Sequence, residues 1–239
     1  FEDVTQKSGA GDMGGARGCA TADFDNDGDM DLYVNNGGPS NTLINDVIGD
    51  FPPFVQFYIA WEPARNTLLL NRGDATFVDV TAGSGAEGLG IGSGVGAADV
   101  NADGFPDLFV TNRTYYSAGK QVSPTPGQNR LFINRGNRNA WIKLRLQGTR
   151  SNRDGLGARV SVTAGDLVQH RETTSAHGYN STNDPVLTFG LGARTQVDRV
   201  EVRWPGGAVQ VIEKPPLRTI TTVVRSEEHT SELQSRQCI

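Results

Sequence analysis

The residues in this chain best suited to chemistry are aspartates at a fixed spacing. Asp23-Phe24-Asp25-Asn26-Asp27-Gly28-Asp29-Met30-Asp31 follows the pattern Asp-x-Asp-x-Asp-Gly-x-x-Asp. Asp99-Val100-Asn101-Ala102-Asp103-Gly104-Phe105-Pro106-Asp107 repeats it, with Asn at the third position and Phe at the seventh. Calcium takes about 6–8 oxygen ligands at about 2.3–2.6 Å. Alternate residues of a tight loop can aim their side chains at one centre. In the first loop these are Asp23, Asp25 and Asp27, and in the second Asp99, Asn101 and Asp103. Gly28 and Gly104 permit the sharp turn. Asp29 and Phe105 can then offer backbone carbonyls, and Asp31 and Asp107 close each shell as the next strand starts. The pattern predicts two calcium sites.

An EF-hand is excluded. It needs Glu at the twelfth loop position and a following helix. Here that position is Val34 or Val110, after Leu-Tyr or Leu-Phe, which is strand composition. The bland alternative is a solvated turn, since Asp, Asn and Gly favour turns without any metal. Against it, the first loop places five carboxylates within nine residues, and the pattern occurs twice. A site with a dissociation constant of about 10 µM, in about 1 mM calcium, adds about 2.7 kcal/mol of stability. That is large beside a total of about 5–15 kcal/mol, so the expected role of the ion is structural.

The elements that must position these loops form a repeat. Phe1-Glu2-Asp3-Val4-Thr5 recurs as Phe77-Val78-Asp79-Val80-Thr81, 76 residues on. The acidic loops share that offset. A third element, Asn66-Thr67-Leu68-Leu69-Leu70-Asn71-Arg72-Gly73, recurs as Asn129-Arg130-Leu131-Phe132-Ile133-Asn134-Arg135-Gly136, with a shorter cousin at 41–45. The changed spacing places variable loops at about 46–65 and 113–128. Each piece reads as a short strand bounded by Gly, Asn or Asp. The expected fold is all-β. Residues 1–138 supply about two blades of a partial β-propeller, too few to close a ring of about 4–8. Phe1 is not a methionine, and the expectation is a piece of a longer chain.

From Asn139 the motifs change. Trp141, Lys143 and Arg145 alternate with Ile142, Leu144 and Leu146, the mark of a half-buried strand. Arg159-Val160-Ser161-Val162 and Arg199-Val200-Glu201-Val202-Arg203-Trp204 alternate likewise, the latter stopping at the turn Pro205-Gly206-Gly207. Residues 139–224 are expected to form a small antiparallel β-sandwich. Residues 225–239 show no apolar period. They read as the in-frame translation of a sequencing-library adapter, with an ordinary polar tail as the alternative, and are set aside.

The two acidic loops resemble the calcium loops of FG-GAP/VCBS-type repeats, known from integrin-like seven-bladed propellers. The Phe-x-Asp-Val-Thr and Asn-x-Leu-x-x-Asn strands are similar to the cartilage acidic protein-like subgroup. Ser151 to Val160, Phe189-Gly190-Leu191-Gly192 and Val202-Arg203-Trp204-Pro205-Gly206-Gly207 resemble the ASPIC/UnbV domain, which commonly follows such propellers. Gly178-Tyr179-Asn180-Ser181 departs from that family's Gly-Tyr-Leu-Ser. The resemblance implies an architecture more than an activity.

Other features carry less. His170 and His177 flank Glu172 without the convergent ligands that zinc needs. Gly88 to Gly94 has no Lys-Ser/Thr after it and reads as glycine-rich strand packing. Ser175, His177 and Asp184 lack a nucleophile elbow. Cys19 aligns with Val95 and is expected to be a small buried residue.

The formal net charge is −5, which argues against a general nucleic-acid binder. It divides unevenly: 17 acids and 9 bases in 1–138, then 7 acids and 11 bases in 139–224. No run of about 20 apolar residues exists, so no spanning helix is expected. The expectation is a calcium-stabilised secreted, periplasmic or cell-surface protein that binds a protein or glycan. The alternative is a calcium-dependent carbohydrate-active lyase or hydrolase.

The first loop carries more negative charge and should bind calcium more tightly than the second. Calorimetric titration of Asp27→Ala and Asp103→Ala checks this: Asp27→Ala should lose the tighter phase, and equal losses would refute the ranking.

Overall fold

The computed structural model describes residues 1–12, 15–39, 61–62, 64–114, 116–117, 120–121, 127–149, 152–178 and 181–226. The short repeat cousin at 41–45, most of the 46–65 loop, the Tyr179-Asn180 departure and Cys238 lie outside the described residues. The fold is nearly all-β. Among the described residues the helix is a single turn, Thr5–Ser8.

The first repeat forms an antiparallel sheet. Strand β1 (Gly18–Ala22) pairs with β2 (Asp31–Asn35), β2 with β3 (Thr67–Asn71), and β3 with β4 (Phe77–Asp79). The second repeat builds the same order from β5 (Gly92–Ala98), β6 (Asp107–Asn112) and β7 (Arg130–Phe132). Neither sheet closes on itself. The two share a core that includes Ala20, Tyr33, Val95, Leu108 and Val110. The glycine-rich segment runs into the start of β5, where a Cβ at Gly92 would overlap Asn35, so glycine there permits close strand packing.

The repeat extends into turn chemistry but not into every strand. Thr5 N donates to the Asp3 carboxylate at 2.9 Å, as Thr81 N does to Asp79 at 2.9 Å. Ser8 Oγ donates to Thr5 O and Ser84 Oγ to Thr81 O, at 3.3 and 2.8 Å. Yet Phe77–Asp79 is a strand and residues 1–3 are not. A strand needs a ladder partner: β4 has β3, and no described strand lies beside residues 1–3.

The second unit is a sandwich of two sheets. One is ordered β11 (Leu187–Gly192), β8 (Ala140–Gln147), β14 (Ile220–Val224). The other is ordered β10 (Leu167–Glu172), β9 (Arg159–Ala164), β12 (Arg199–Arg203), β13 (Val209–Glu213). Ile142, Leu144, Val160, Val162 and Phe189 fill the space between them. The expected antiparallel arrangement fails at one pair: β14 runs parallel to β8, from Ile220 opposite Lys143 to Val224 opposite Gln147. Parallel neighbours need a long crossover. The intervening chain supplies it by passing through the other sheet. Arg225 N continues this edge by donating to Gln147 O at 2.8 Å, so the bonded structure runs past Val224, where the sequence reading placed its end.

Two further expectations change. Cys19 is exposed, not buried. Its repeat counterpart Val95 is 1% exposed because the first repeat covers it, with Val95 Cγ1 3.5 Å from a Cβ position at Gly18. No described repeat covers Cys19 in the same way. On β8, the alternation is broken on its outer face: Trp141 and Lys143 are buried alongside Ile142 and Leu144, and exposure begins only at Arg145 and Gln147. The outer face of the strand's first half lies against the propeller part.

Leu144 is fully buried in the sandwich core. Leu144→Ala should cost about 2–5 kcal/mol in urea unfolding. Arg145→Ala, one residue on, should stay within about 0.5 kcal/mol. Equal costs would contradict the packing described.

Candidate metal centre

Both acidic loops fold by the same local rule, in which each carboxylate bonds the backbone ahead of it. Asp27 N donates to Asp23 Oδ1 at 3.0 Å and Gly28 N to Asp23 Oδ2 at 3.0 Å. Asp103 N and Gly104 N donate likewise to Asp99, at 3.1 and 2.9 Å. Asp29 N reaches Asp27 Oδ1 and Phe105 N reaches Asp103 Oδ1, both at 2.9 Å. Such Asx bonds are why Asp and Asn suit these positions. Gly28 and Gly104 hold φ of 113° and 99°, a region that penalises a side chain.

Asp31 and Asp107 also reach beyond their own loops. Asp31 Oδ2 accepts from Phe24 N at 2.7 Å and Oδ1 from Asn71 N at 2.9 Å. Asp107 accepts from Val100 N at 2.9 Å and Asn134 N at 2.7 Å. Each is 1% exposed and ties its loop to the third strand of its repeat. The Asn-x-Leu-x-x-Asn element is thereby explained: its final Asn, Asn71 or Asn134, also donates from Nδ2 to Met30 O or Pro106 O.

Three of the aspartates expected to ligate cluster among the described residues. Carboxylate oxygens of Asp23, Asp25 and Asp27 lie within 4.8 Å of one another. The donor set is all hard oxygen, which suits calcium and not zinc. Burial, with repulsion from Asp31, Asp27 and Asp25, pushes Asp23 up to about 8. Burial pushes Asp31 up to about 7 against the opposing bonds from Asn71 and Phe24. Burial and then Asp27 also raise Asp25. Among the described residues no ion pair reaches Asp23, Asp25 or Asp27. The negative charge there lacks a counter-ion in direct contact, and a divalent cation would fit.

The second unit lies over both loops. A Cβ at Gly190 of β11 would overlap Asp23 Oδ2 and lie 2.5 Å from Asn26 Cα. Gly192 N donates to Asn26 O at 2.9 Å. Asn26, wholly buried, bridges the loops by donating from Nδ2 to Gly104 O at 3.2 Å, and its Oδ1 has no hydrogen-bond partner among the described residues. Asn137 and Asn139 donate to Asp25 O at 2.6 and 2.9 Å. Burial holds the Arg171 guanidinium of β10 below its ordinary pKa, against the opposing pull of the Asp23 and Asp29 charges.

The second loop is filled differently. Lys143 Nζ forms an ion pair with Asp99 Oδ2, the two side chains being 2% and 4% exposed. A Cβ at Gly104 would overlap the Trp141 indole. Sequence reasoning missed Lys143, Arg171 and Gly190. A signal for the first was present: a tryptophan beside a lysine on the polar face of an alternating strand. His170 Nδ1 lies 2.8 Å from Ser161 Oγ, away from both loops.

Residues 56–110 match the FG-GAP-like repeat and 148–230 match the ASPIC and UnbV family. Human cartilage acidic protein 1 is 27% identical over 80% of the chain, and the mouse protein 26% over 91%. The Xenopus tropicalis protein is 26% identical over 81%. The chain spans about a quarter of the length of these relatives, 25%, 28% and 26% respectively. The chain therefore carries an FG-GAP-like repeat followed by an ASPIC and UnbV domain, and is homologous to cartilage acidic protein 1.

Proposed function

We propose that this chain is a calcium-stabilised extracellular binding module. Its propeller-type unit (1–138) carries a structural ion in the first acidic loop, and its sandwich unit (139–224) is docked over that loop. The observation that carries the reading is the convergence of Asp23, Asp25 and Asp27 within 4.8 Å, with no ion pair to any of them among the described residues. A calcium ion there would take carboxylate oxygens from these three residues. It would supply charge compensation and so lock the loop against the second unit.

A structural ion leaves binding to other surfaces. Rigid propeller loops suit a protein or glycan ligand. A cleft of about 650 Å³ lies beside the repeats, bordered by Phe24, Leu70, Leu131, Ile133 and Arg135. The relatives are named as acidic proteins of cartilage, an extracellular tissue matrix, which supports a secreted or cell-surface setting where calcium is plentiful. Among the described residues no helix is long and apolar enough to cross a membrane. The lyase or hydrolase alternative needs Asp31 or Asp107 open to a cleft. Both are buried, with each oxygen bonded to a backbone N–H, which favours the binding role.

Melting the chain in about 1 mM calcium and in chelator tests the ion. Calcium should raise the midpoint by several degrees, since about 2–3 kcal/mol is gained at 100-fold excess over the dissociation constant. An unchanged midpoint would sink the structural-ion reading.

Proton linkage gives a second test. Burial pushes Asp23 up to about 8 and Asp31 up to about 7 in the folded chain, well above the ordinary carboxylate value. The folded state thus holds protons that the unfolded state releases. That stabilisation is full below about pH 4 and is lost as pH rises through the folded values. In chelator, the melting midpoint should fall between about pH 5.5 and pH 8.5, and calcium should flatten the fall because binding competes with the protons. A midpoint in chelator that rises over this window contradicts the assignment.

A further inference from the structure

The two acidic loops meet the second unit at equivalent atoms, and the second unit offers each something different. Asp23 Oδ2 and Asp99 Oδ2 both accept the loop glycine N–H, from Gly28 and Gly104. Beside Asp23 Oδ2 stands Gly190, with no side chain. On Asp99 Oδ2 sits the Lys143 ammonium, buried with its partner. The lysine is held on its far side by aromatic packing: Nζ lies 5.5 Å from the centroid of the Trp141 ring, whose indole fills the space beside Gly104.

The remaining charge in the second loop is also engaged. Asp103 Oδ2 receives the Asn101 side-chain N–H at 2.8 Å. At the matching position the first loop has Asp25, which has no proton donor to offer when ionised. The second loop therefore has one tethered cation and one amide donor at the places where the first has clustered carboxylates. A calcium ion bound to Asp99 Oδ2 would lie within a few ångströms of a buried ammonium. The two cations would repel there and compete for the same carboxylate oxygen.

We propose that the Lys143 ammonium takes the place of calcium in the second acidic loop. The loop then works as an electrostatic docking point between the units, and the chain binds one calcium ion, not two. The count of one rests on the calcium reading of the first loop; the role of Lys143 stands apart from it.

The experiment counts bound calcium on the full chain by equilibrium dialysis in about 1 mM calcium. It compares the natural sequence with Lys143→Met, which keeps an apolar stem and removes the charge. The natural chain should bind one ion and Lys143→Met two. Two ions on the natural chain, or no gain in Lys143→Met, overturns the proposal. A count of zero that rises to one in Lys143→Met upholds the lysine's role while removing the first-loop calcium site. Should circular dichroism show Lys143→Met unfolded, Asp99→Asn decides: an unchanged count supports the proposal and the loss of one ion overturns it.

Discussion

The structure turns on how buried carboxylate charge is neutralised where two all-β units meet. The opening aspartate of each acidic loop is buried. Asp23 is 3% exposed, and the Asp99 side chain is 4% exposed. Ionised carboxylates are costly to bury unless paired. One loop is paired through Lys143, and the other presents three converging carboxylates with Arg171 nearby. Lys143, a base of the second unit, thus meets a carboxylate of the first. Breaking a buried ion pair of this kind by removing one partner typically costs about 3–5 kcal/mol, because the other charge is left stranded. The sandwich and the propeller part therefore meet through one specific charge pair as well as through apolar contact such as Trp141 beside Gly104.

The same interface accounts for residues that otherwise look arbitrary. Gly190 is small because loop one leaves no space for a Cβ, and Gly104 because Trp141 lies against it. Asn137 and Asn139, in the connection between the units, donate to the Asp25 carbonyl and fix the path of the chain out of the second repeat. The Phe189-Gly190-Leu191-Gly192 string of the second unit is a contact surface for the first unit's loop as well as a strand.

The repeat also separates local from non-local causes. Residues 3–10 and 79–86 share Asx and serine turn bonds one for one, because those bonds need only neighbours in sequence. Strand pairing does not carry over, since a ladder requires a second chain segment. Burial diverges in the same way: Cys19 and Val95 occupy equivalent positions, yet only Val95 has a neighbouring repeat over it.

What the sequence alone determined is what short-range chemistry can encode. The Asp-x-Asp-x-Asp-Gly spacing dictated the Asx bonds and glycine turns of both loops, and two-residue alternation dictated the strands of the sandwich. The ten candidate ligands could be read from spacing, but their separate tasks could not. Tertiary structure turned Asp31 and Asp107 into ties to Asn71 and Asn134, made β14 parallel to β8, and buried Lys143 against Asp99. Each of these depends on contacts between segments far apart in the chain. Periodicity reports which face a residue occupies, not which distant segment covers that face. A lysine on the polar side of a strand reads as solvated until the fold brings a carboxylate to it.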